Sequence, residues 1–400
     1  MTARVFLAQG RDKRVQTGHP WVFANEIDRT SGDFVPGDIV EVVSSRGHLI
    51  GRGYINPASQ IRVRFLTRTD EVINEDFFRR RVREAIDYRR RLFGALPDAR
   101  ERAFRLIFAE ADYLPALIVD YFAGYLVFQA LALGIDRRKE MLMEMVRAEA
   151  GPEFPVLGLY ERDDVPVREL EGLSQLKGPY NGDVPPRVTI RENDVRLIVD
   201  LENGQKTGHF LDQRENRAAI APYVKGARVL DGFSYTGGFA CAAAAYGARE
   251  VLGVDVSPQA VALAGENARL NGVEDRVAFQ TANVFDFLHD ADPSQQRWEV
   301  ILLDPPAFAK NRAALPGALR GYKEINLRAM KLLPPGGHLI TSSCSQHVSE
   351  ELFREVLAVA AADTKRRLRV VEVRSQGRDH PFLPAAPETR YLKFFVLRVE

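Results

Sequence analysis

From residue 188 onward, segments with the pattern of β-strands alternate with segments with the pattern of α-helices. Between residues 228 and 361 the pattern gives five strands and four helices, and two more strands follow near 369–374 and 391–399. A helix between two strands carries the chain back to the end of the sheet where the previous strand began, so the next strand runs parallel to it. This alternation therefore produces a mostly parallel, doubly wound sheet. We therefore predict a Rossmann-like α/β domain over residues 186–400.

The first half of the chain has a different pattern. Residues 1–72 contain short apolar runs separated by Gly and Pro, which predicts a small N-terminal β-barrel. A helical segment at 76–93 begins a predicted central α+β domain over residues 73–185, and a stretch rich in Gly and Pro at 178–187 ends it. The sequence thus predicts three domains.

The overall net charge of +1 hides an uneven distribution. Residues 1–105 contain 20 Lys and Arg against 14 Asp and Glu, a net charge of +6, so the remaining residues carry −5. A basic front half favours a polyanionic partner such as RNA, although an ordinary solvated surface explains this charge equally well.

The chain has two cysteines, Cys241 and Cys344, which are far apart in sequence. They give no disulfide framework and no zinc-binding pattern, so we expect no structural metal. No segment has the length and apolar character of a membrane span, and the N-terminus lacks the apolar core of a secretory signal. We expect a cytoplasmic protein without a membrane partner.

Acidic and small residues follow three successive predicted strands in the C-terminal domain. The segment from Asp231 to Gly238 reads as a strand, a tight loop and a helix start, and Gly237 lets the backbone approach a ligand. Asp255 ends the next strand, where a carboxylate binds ribose hydroxyls, and Asn283 follows the third, where an amide pairs with adenine. Together they predict an adenosyl cofactor. NAD is the alternative, disfavoured because the G-x-G-x-x-G phosphate loop is missing.

The fourth and fifth strands are followed by residues suited to covalent chemistry. Asp304 precedes two prolines that stiffen its turn, with Phe308 nearby to stack on a planar ring, and Cys344 lies in a loop rich in Ser and Thr. Attack of a thiolate on cytosine C6 makes C5 nucleophilic, and a protonated carboxyl group assists by giving a proton to N3. The residues therefore predict methylation of cytosine C5. His347 is one candidate for the final base, with a structural role as the alternative.

At these motifs the chain resembles the bacterial 23S ribosomal RNA large-subunit methyltransferase I family, which makes 5-methylcytosine. The matching stretches are 206–217, Asp231–Gly238, Asp304–Phe308 and 342–345, and 18–23 looks like the start of a PUA domain, an RNA-binding β-barrel. The resemblance implies a class I methyltransferase fold with a closing antiparallel strand pair, S-adenosylmethionine as cofactor and Cys344 as the catalytic cysteine. It also implies that Gln213 and Arg214 lie near the methionine end of the cofactor.

These arguments lead to a set of predicted site residues. The predicted catalytic residues are Cys344 and Asp304. The predicted cofactor-binding residues are Gln213, Arg214, Asp231, Phe233, Tyr235, Thr236, Gly237, Asp255, Val256, Asn283, Val284 and Asp304. The predicted RNA-binding residues are Arg4, Arg11, Lys13, Arg14 and Phe308.

Two other functions stay open from the sequence. One is methylation of another base atom, such as an exocyclic amine, because Asp304-Pro305-Pro306 resembles the acidic-Pro-Pro motifs of amine methyltransferases; a nucleophilic cysteine is superfluous there. The other is a non-catalytic RNA-binding assembly factor. The expected partner is RNA, most specifically 23S rRNA, and a homodimer is possible because two-fold dimers are the commonest soluble oligomers.

Overall fold

The computed structural model describes residues 2–94, 101–151, 153–294, 297–309 and 311–400. Its contacts divide the chain into two compact units. Unit 1 comprises Met1–Ile190, Val199–Leu211 and Arg378–Thr389, and unit 2 comprises Arg191–Ile198, Asp212–Gly377 and Arg390–Glu400. Among the described helices, none combines the length and apolarity needed to cross a bilayer. The predicted boundaries at residues 72 and 185 stay a prediction.

Unit 1 begins with a six-stranded sheet in the order β2–β6–β5–β4–β1–β3, in which only β1 and β4 pair in parallel. Its core consists of alternating inward Val, Leu and Ile side chains such as Val5, Val42 and Val63. The elements are β1 (Arg4–Leu7), α1 (Lys13–Gln16), β2 (Trp21–Phe23), β3 (Ile27–Ser31), β4 (Ile39–Val43), β5 (Leu49–Ile55) and β6 (Ile61–Thr67).

Unit 1 continues with a five-stranded sheet in the order β11–β10–β9–β8–β7, covered by helices. The long helix begins where Asn74 accepts a hydrogen bond from the Phe77 amide, and it buries an apolar face that includes Val82 and Ile86. The elements are α2 (Glu75–Phe93), β7 (Ala103–Phe108), β8 (Leu117–Phe122), β9 (Tyr125–Ala130), α3 (Leu133–Asp136), α4 (Lys139–Ala150), β10 (Gly158–Arg162) and β11 (Lys177–Asn181).

A two-stranded sheet follows, formed by β12 (Arg187–Glu192) and β13 (Val195–Asp200). Unit 2 then contains a seven-stranded sheet in the order β16–β15–β14–β17–β18–β20–β19. Its elements are α5 (Arg214–Ala219), α6 (Ala221–Val224), β14 (Arg228–Gly232), α7 (Gly238–Ala245), β15 (Glu250–Asp255), α8 (Pro258–Leu270), β16 (Val277–Thr281), α9 (Val284–Asp290), β17 (Val300–Leu303), α10 (Leu315–Leu332), β18 (His338–Ser343), α11 (Glu350–Asp363), β19 (Leu368–Arg374) and β20 (Lys393–Val399).

The first five strands of this sheet are mutually parallel, β20 runs antiparallel to β18, and the outer strand β19 runs antiparallel to β20. The predicted Rossmann-like fold with a mostly parallel sheet is confirmed. The register pairs Asp231 with Leu302, and Leu303 with Thr341, so β14, β17 and β18 end at the same edge. Because chain order reverses beside β14, this edge is where ligands of such sheets bind.

Candidate active site

The loop between β14 and α7 has an unusual backbone. Phe233 and Tyr235 adopt left-handed conformations, with φ of 66° and 47°. The amides of Phe233 and Ser234 both donate to the carbonyl of Val254, at 2.9 and 3.0 Å. Such conformations cost on the order of 1 kcal/mol or more at residues other than Gly, and they cluster at ligand-binding sites.

Gly237 ends this loop as the residue that caps α7, with φ of 78°. A Cβ atom built there would lie 2.8 Å from the Phe279 ring and 3.0 Å from the Ala264 Cβ. At Gly238 a Cβ atom would lie 2.8 Å from Arg217 Nε. A side chain at Gly237 would therefore press on Phe279 and Ala264, and one at Gly238 would displace the Arg217 side chain. Without side chains at these positions, the backbone amides at the start of α7 can approach a ligand.

Asp231 is fully buried in β14. Within the described parts of the chain, neither of its carboxyl oxygens has a partner with good hydrogen-bond geometry. Burial, followed by the negative charge of Asp304, raises the pKa of Asp231 well above its usual value, although the Ala240 amide and Arg217 act against the rise. The site thus contains a carboxyl group that a cationic or hydrogen-bonding ligand would stabilise.

The other predicted cofactor residues lie along the same edge. Asp255 accepts hydrogen bonds from the amides of Tyr235 and Ser257, both at 2.9 Å, which fixes the carboxylate at the end of β15. Asn283 is exposed and caps α9 by accepting from the Phe285 amide at 2.9 Å. Val256 is 68% exposed, Val284 is buried in the core, and Thr236 is buried beside Gly237.

Asp304 is held by a network of polar side chains. Its Oδ1 accepts hydrogen bonds from Ser342 Oγ and from Gln213 Nε2, the latter at 2.8 Å. Asn216 Nδ2 in turn donates to Gln213 Oε1 at 2.6 Å. Among the residues the structure describes, the second oxygen, Oδ2, has no hydrogen-bond partner. Burial raises the pKa of Asp304, while the Ser342 hydrogen bond opposes the rise, so a proton on this group would reside on Oδ2.

Cys344 directly follows β18 and is partly exposed, whereas Cys241 is fully buried in α7. The Cys344 Sγ donates to the carbonyl oxygen of Pro305 at 3.8 Å, so the sulfur lies beside the residue that follows Asp304. Burial raises the pKa of the Cys241 thiol to about 12. Of the two cysteines, Cys344 is the one placed for chemistry.

Lys393 was missed by sequence reasoning. It begins β20, pairs with Ser343 across the sheet and is 5% exposed. Its Nζ donates to the carbonyls of Ser345 and Tyr391, both at 2.7 Å. Burial lowers the pKa of Lys393 to about 8, against the opposing effect of the Cys344 sulfur. An amine that exchanges its proton near neutral pH therefore holds the segment after Cys344.

Phe308 lies in an aromatic cluster. Its ring centroid is 4.6 Å from that of Tyr322, 5.6 Å from that of Phe285 and 6.4 Å from that of Phe233. Tyr322 also hydrogen-bonds Ser345 at 2.9 Å. The cluster supports the turn after Asp304, and Phe308 stays partly exposed.

The remaining predicted residues have varied surroundings. Arg214 is buried and pairs with Glu215 at 3.0 Å. In unit 1, Arg4 pairs with a glutamate at 2.9 Å and Arg14 with another at 2.7 Å, while Arg11 and Lys13 are exposed. Arg4 and Arg14 thus already hold carboxylate partners. His347 is exposed after the Cys344 loop.

The residues of this edge fit S-adenosylmethionine. The ligand carries a cationic amine and a sulfonium, and Asp231 offers a buried carboxyl group whose oxygens have no hydrogen bond of good geometry with any described residue. Gly237 caps α7 in a left-handed conformation packed against Phe279 and Ala264, and Asp255 ends the strand where ribose is bound in such sheets. A pyrophosphate would instead meet the carboxyl groups of Asp231 and Asp304.

Comparison with known proteins decides the family. Residues 5–68 match the PUA-like domain family, and residues 180–392 match the S-adenosylmethionine-dependent methyltransferase family. The chain is 41% identical to Ribosomal RNA large subunit methyltransferase I of Aeromonas salmonicida and 42% identical to that of Aliivibrio fischeri, with 100% of each chain covered. The chain belongs to the ribosomal RNA large subunit methyltransferase I family.

Solved structures agree with this family's expected fold. A methyltransferase called SMU.776, complexed with SAH, superposes with a TM-score of 0.85 at 20% identity over 100% of both chains. A SAM-dependent methyltransferase from Streptococcus mutans gives a TM-score of 0.83, again at 20% identity and full coverage. The predicted family, the PUA-like and class I methyltransferase folds, and S-adenosylmethionine as cofactor are confirmed.

Proposed function

We propose that this member of the family methylates C5 of a cytosine in large-subunit rRNA, with Cys344 as the nucleophile. The observation that carries the proposal is the contact of Cys344 Sγ with the Pro305 carbonyl, beside Asp304. Methylation of an amine needs no thiol, whereas C5 of cytosine needs covalent activation at C6. The relatives' name supplies the substrate class, large-subunit rRNA.

The residues divide the reaction between them. The Cys344 thiolate forms a bond to C6 while Asp304 Oδ2 gives its proton to N3, which leaves C5 electron-rich. S-adenosylmethionine supplies an electrophilic methyl group to that carbon. A base then takes the C5 proton, the bond between Sγ and C6 breaks, and N3 returns its proton to Asp304. Gln213 and Ser342 hold Oδ1 throughout, so Oδ2 alone exchanges the proton.

We further propose that the cofactor is held by the predicted set of residues along this edge. Asp231 faces the cationic part, Asp255 binds the ribose, and Asn283 pairs with adenine. The Asn283 amide oxygen already caps α9, so its NH₂ group is the part left to donate. The remaining members of the proposed set are Gln213, Arg214, Phe233, Tyr235, Thr236, Gly237, Val256, Val284 and Asp304.

The test uses RNA in which cytidine is replaced by 5-fluorocytidine. Fluorine at C5 blocks the final elimination, so a covalent protein–RNA adduct accumulates and survives denaturing electrophoresis. We expect the adduct with the unaltered enzyme and with Cys241→Ala, which removes the buried thiol, but not with Cys344→Ala or Cys344→Ser. An adduct that persists in both Cys344 variants would refute the nucleophile.

A second measurement separates the alternatives. Tritiated cofactor and protein-free rRNA from a strain lacking the enzyme are incubated together, and the product is digested to nucleosides. Label in 5-methylcytidine that disappears with Cys344→Ala supports the proposal. Label in a methylated exocyclic amine, with Cys344→Ala active, favours the reading of the Asp304-Pro-Pro motif as an amine methyltransferase. Tight RNA binding without label favours an assembly factor. A cytoplasmic location and a homodimer stay predictions.

A further inference from the structure

Unit 1 contains a cavity of about 890 Å³ that the proposed chemistry does not use. The loop after α1, the end of β6, α2, the turn after β7 and the segment 383–387 all contribute to its wall. The volume lies in the range of small-molecule and nucleotide pockets. Much of the wall is apolar, including Phe65, Leu66, Pro384 and Pro387.

One cation at this cavity, Arg68, has no anionic partner among the described residues. Its guanidinium lies over Phe65, with Cζ 3.5 Å from the ring centroid, and it donates to the His19 carbonyl. No carboxylate of the described residues forms an ion pair with it. The two acids in the wall are committed elsewhere, because Glu71 pairs with Arg80 at 2.5 Å and Glu110 accepts from the Trp21 indole at 2.8 Å. The cavity is therefore complementary to an anion.

An aromatic ring lines the same cavity. Tyr113 is 52% exposed and has a left-handed backbone, with φ of 56°, in the turn after β7. The Arg81 guanidinium lies 5.1 Å from its ring centroid, and the Arg81 Nε is buried without a hydrogen-bond partner among the described residues. An exposed tyrosine flanked by an arginine offers a flat surface on which a base can stack.

We infer that this cavity binds one unstacked nucleotide of the RNA substrate, with its base against Tyr113 and its phosphate at Arg68. The inference rests on the proposed RNA substrate and adds a subsite outside the methylation centre. A nucleotide joins a flat base to a phosphate. The cavity wall carries the complementary groups, which are an exposed aromatic ring and a guanidinium that forms no ion pair with a described residue. Single-stranded RNA is recognised through such stacking, which tolerates any base.

The test measures binding of a fluorescein-labelled, single-stranded RNA decamer to the full chain by fluorescence anisotropy. We expect Tyr113→Ala to weaken binding about tenfold and Tyr113→Phe to leave it within about twofold, because stacking survives. Arg68→Gln should weaken binding about fivefold and reduce the slope of log Kd against log salt by about 0.7, the contribution of one phosphate contact. The matched control is Arg29→Gln, since Arg29 lies 3.9 Å from the Phe6 ring centroid in β1 and is exposed.

Further readouts separate this inference from a folding defect and from the proposed function. The affinity for S-adenosylmethionine and the melting temperature should stay unchanged, and RNA methylation should show a raised KM with the same kcat. Binding of the decamer needs no methylation, so it reports on the cavity even if Cys344 proves inactive. Unchanged RNA affinity in both Tyr113→Ala and Arg68→Gln overturns the inference.

Discussion

Asp231→Asn should stabilise the protein and weaken its cofactor binding at the same time. In the folded chain, burial raises the pKa of the Asp231 carboxyl group, so ionisation costs stability as pH rises from the unfolded value near 4 through the folded value. Asn keeps the shape and removes the charge. A buried carboxylate costs more free energy than a buried neutral amide, so we expect Asn to raise the stability at pH 8 by about 1–2 kcal/mol.

The gain corresponds to a rise in melting temperature of about 3–6 °C for a chain segment of this size. It should shrink as the pH falls toward 4, because the penalty disappears below the unfolded pKa, where the carboxyl group is neutral in both states. The loss of a hydrogen bond to a charged group costs about 1.5–3 kcal/mol, so affinity for S-adenosylmethionine should fall roughly ten- to hundredfold. Because a cationic ligand favours the ionised form, affinity of the unaltered protein should rise with pH toward the folded pKa, and that of the Asn variant should not.

Differential scanning fluorimetry from pH 4 to pH 8 and isothermal titration calorimetry at three pH values measure both effects. Asp255→Asn is the matched control, because the Asp255 oxygens accept from two backbone amides. An amide NH₂ in place of one oxygen should lower stability by about 1 kcal/mol. If Asp231→Asn instead destabilises the protein at pH 8 and binds the cofactor with unchanged affinity, Asp231 is a packing residue and the reasoning fails.

For three further substitutions, the structure determines whether the measured affinity, alkylation midpoint or stability should rise or fall. Gly237→Ala forces a side chain into a left-handed conformation and against Phe279, so calorimetry should show cofactor affinity at least tenfold lower. Lys393→Met removes a buried cation near Cys344, so the pH midpoint for alkylation of that thiol by iodoacetamide should rise by about one unit; an unchanged midpoint contradicts the link. Arg168→Met removes the guanidinium that lies 2.8 Å from the fully buried Asp163 and leaves the Ala130 amide as a hydrogen-bond donor to that group, so urea unfolding should show a loss of about 3–5 kcal/mol, against no change for the exposed Arg369→Met.

The parallel sheet of unit 2 could be predicted because its signals are local. Each strand is a short apolar run, each helix shows its own periodicity, and the acidic residues directly follow the strands. All of these signals lie within short stretches of the sequence. The sequence pattern alone predicts a start of α10 at Gly321, six residues after the observed start at Leu315, because Pro316 and Gly317 resemble a turn. Proline is tolerated in the first helical turn, where its missing N–H has no partner to lose.

The strands β10 and β11 were not predicted. β11 contains Gly178 and Pro179, which argue against a strand, but it is the edge strand of its sheet, where proline is tolerated. β10 carries Glu161 and Arg162 in buried positions, so its sequence does not show the alternation of buried apolar and exposed polar residues that is expected of a strand. Glu161 is balanced by Lys139 at 2.6 Å, a contact between residues distant in sequence.

The candidate site also depends on contacts between residues that are distant in sequence. The strand ends predict that Asp304 and Cys344 share an edge, and the hydrogen bond from Ser342 to Asp304 agrees with that prediction. Lys393 reaches the Cys344 loop only through the antiparallel pairing of β18 with β20. From the sequence alone, a lysine at the start of an apolar strand is interpreted as an ordinary residue of the strand boundary. Only the tertiary structure places Lys393 next to the Cys344 loop.

Tyr235 occupies a position where glycine has the conformational advantage. Its φ of 47° strains any residue other than glycine by about 1 kcal/mol, and the ring is half-buried. Tyr235→Gly relieves the strain but adds backbone freedom to the unfolded chain, and these effects are of similar size. We therefore expect stability within about 1 kcal/mol of the unaltered protein and affinity for S-adenosylmethionine about tenfold lower. A large loss of stability with unchanged affinity would mean that the ring serves the fold instead of the cofactor.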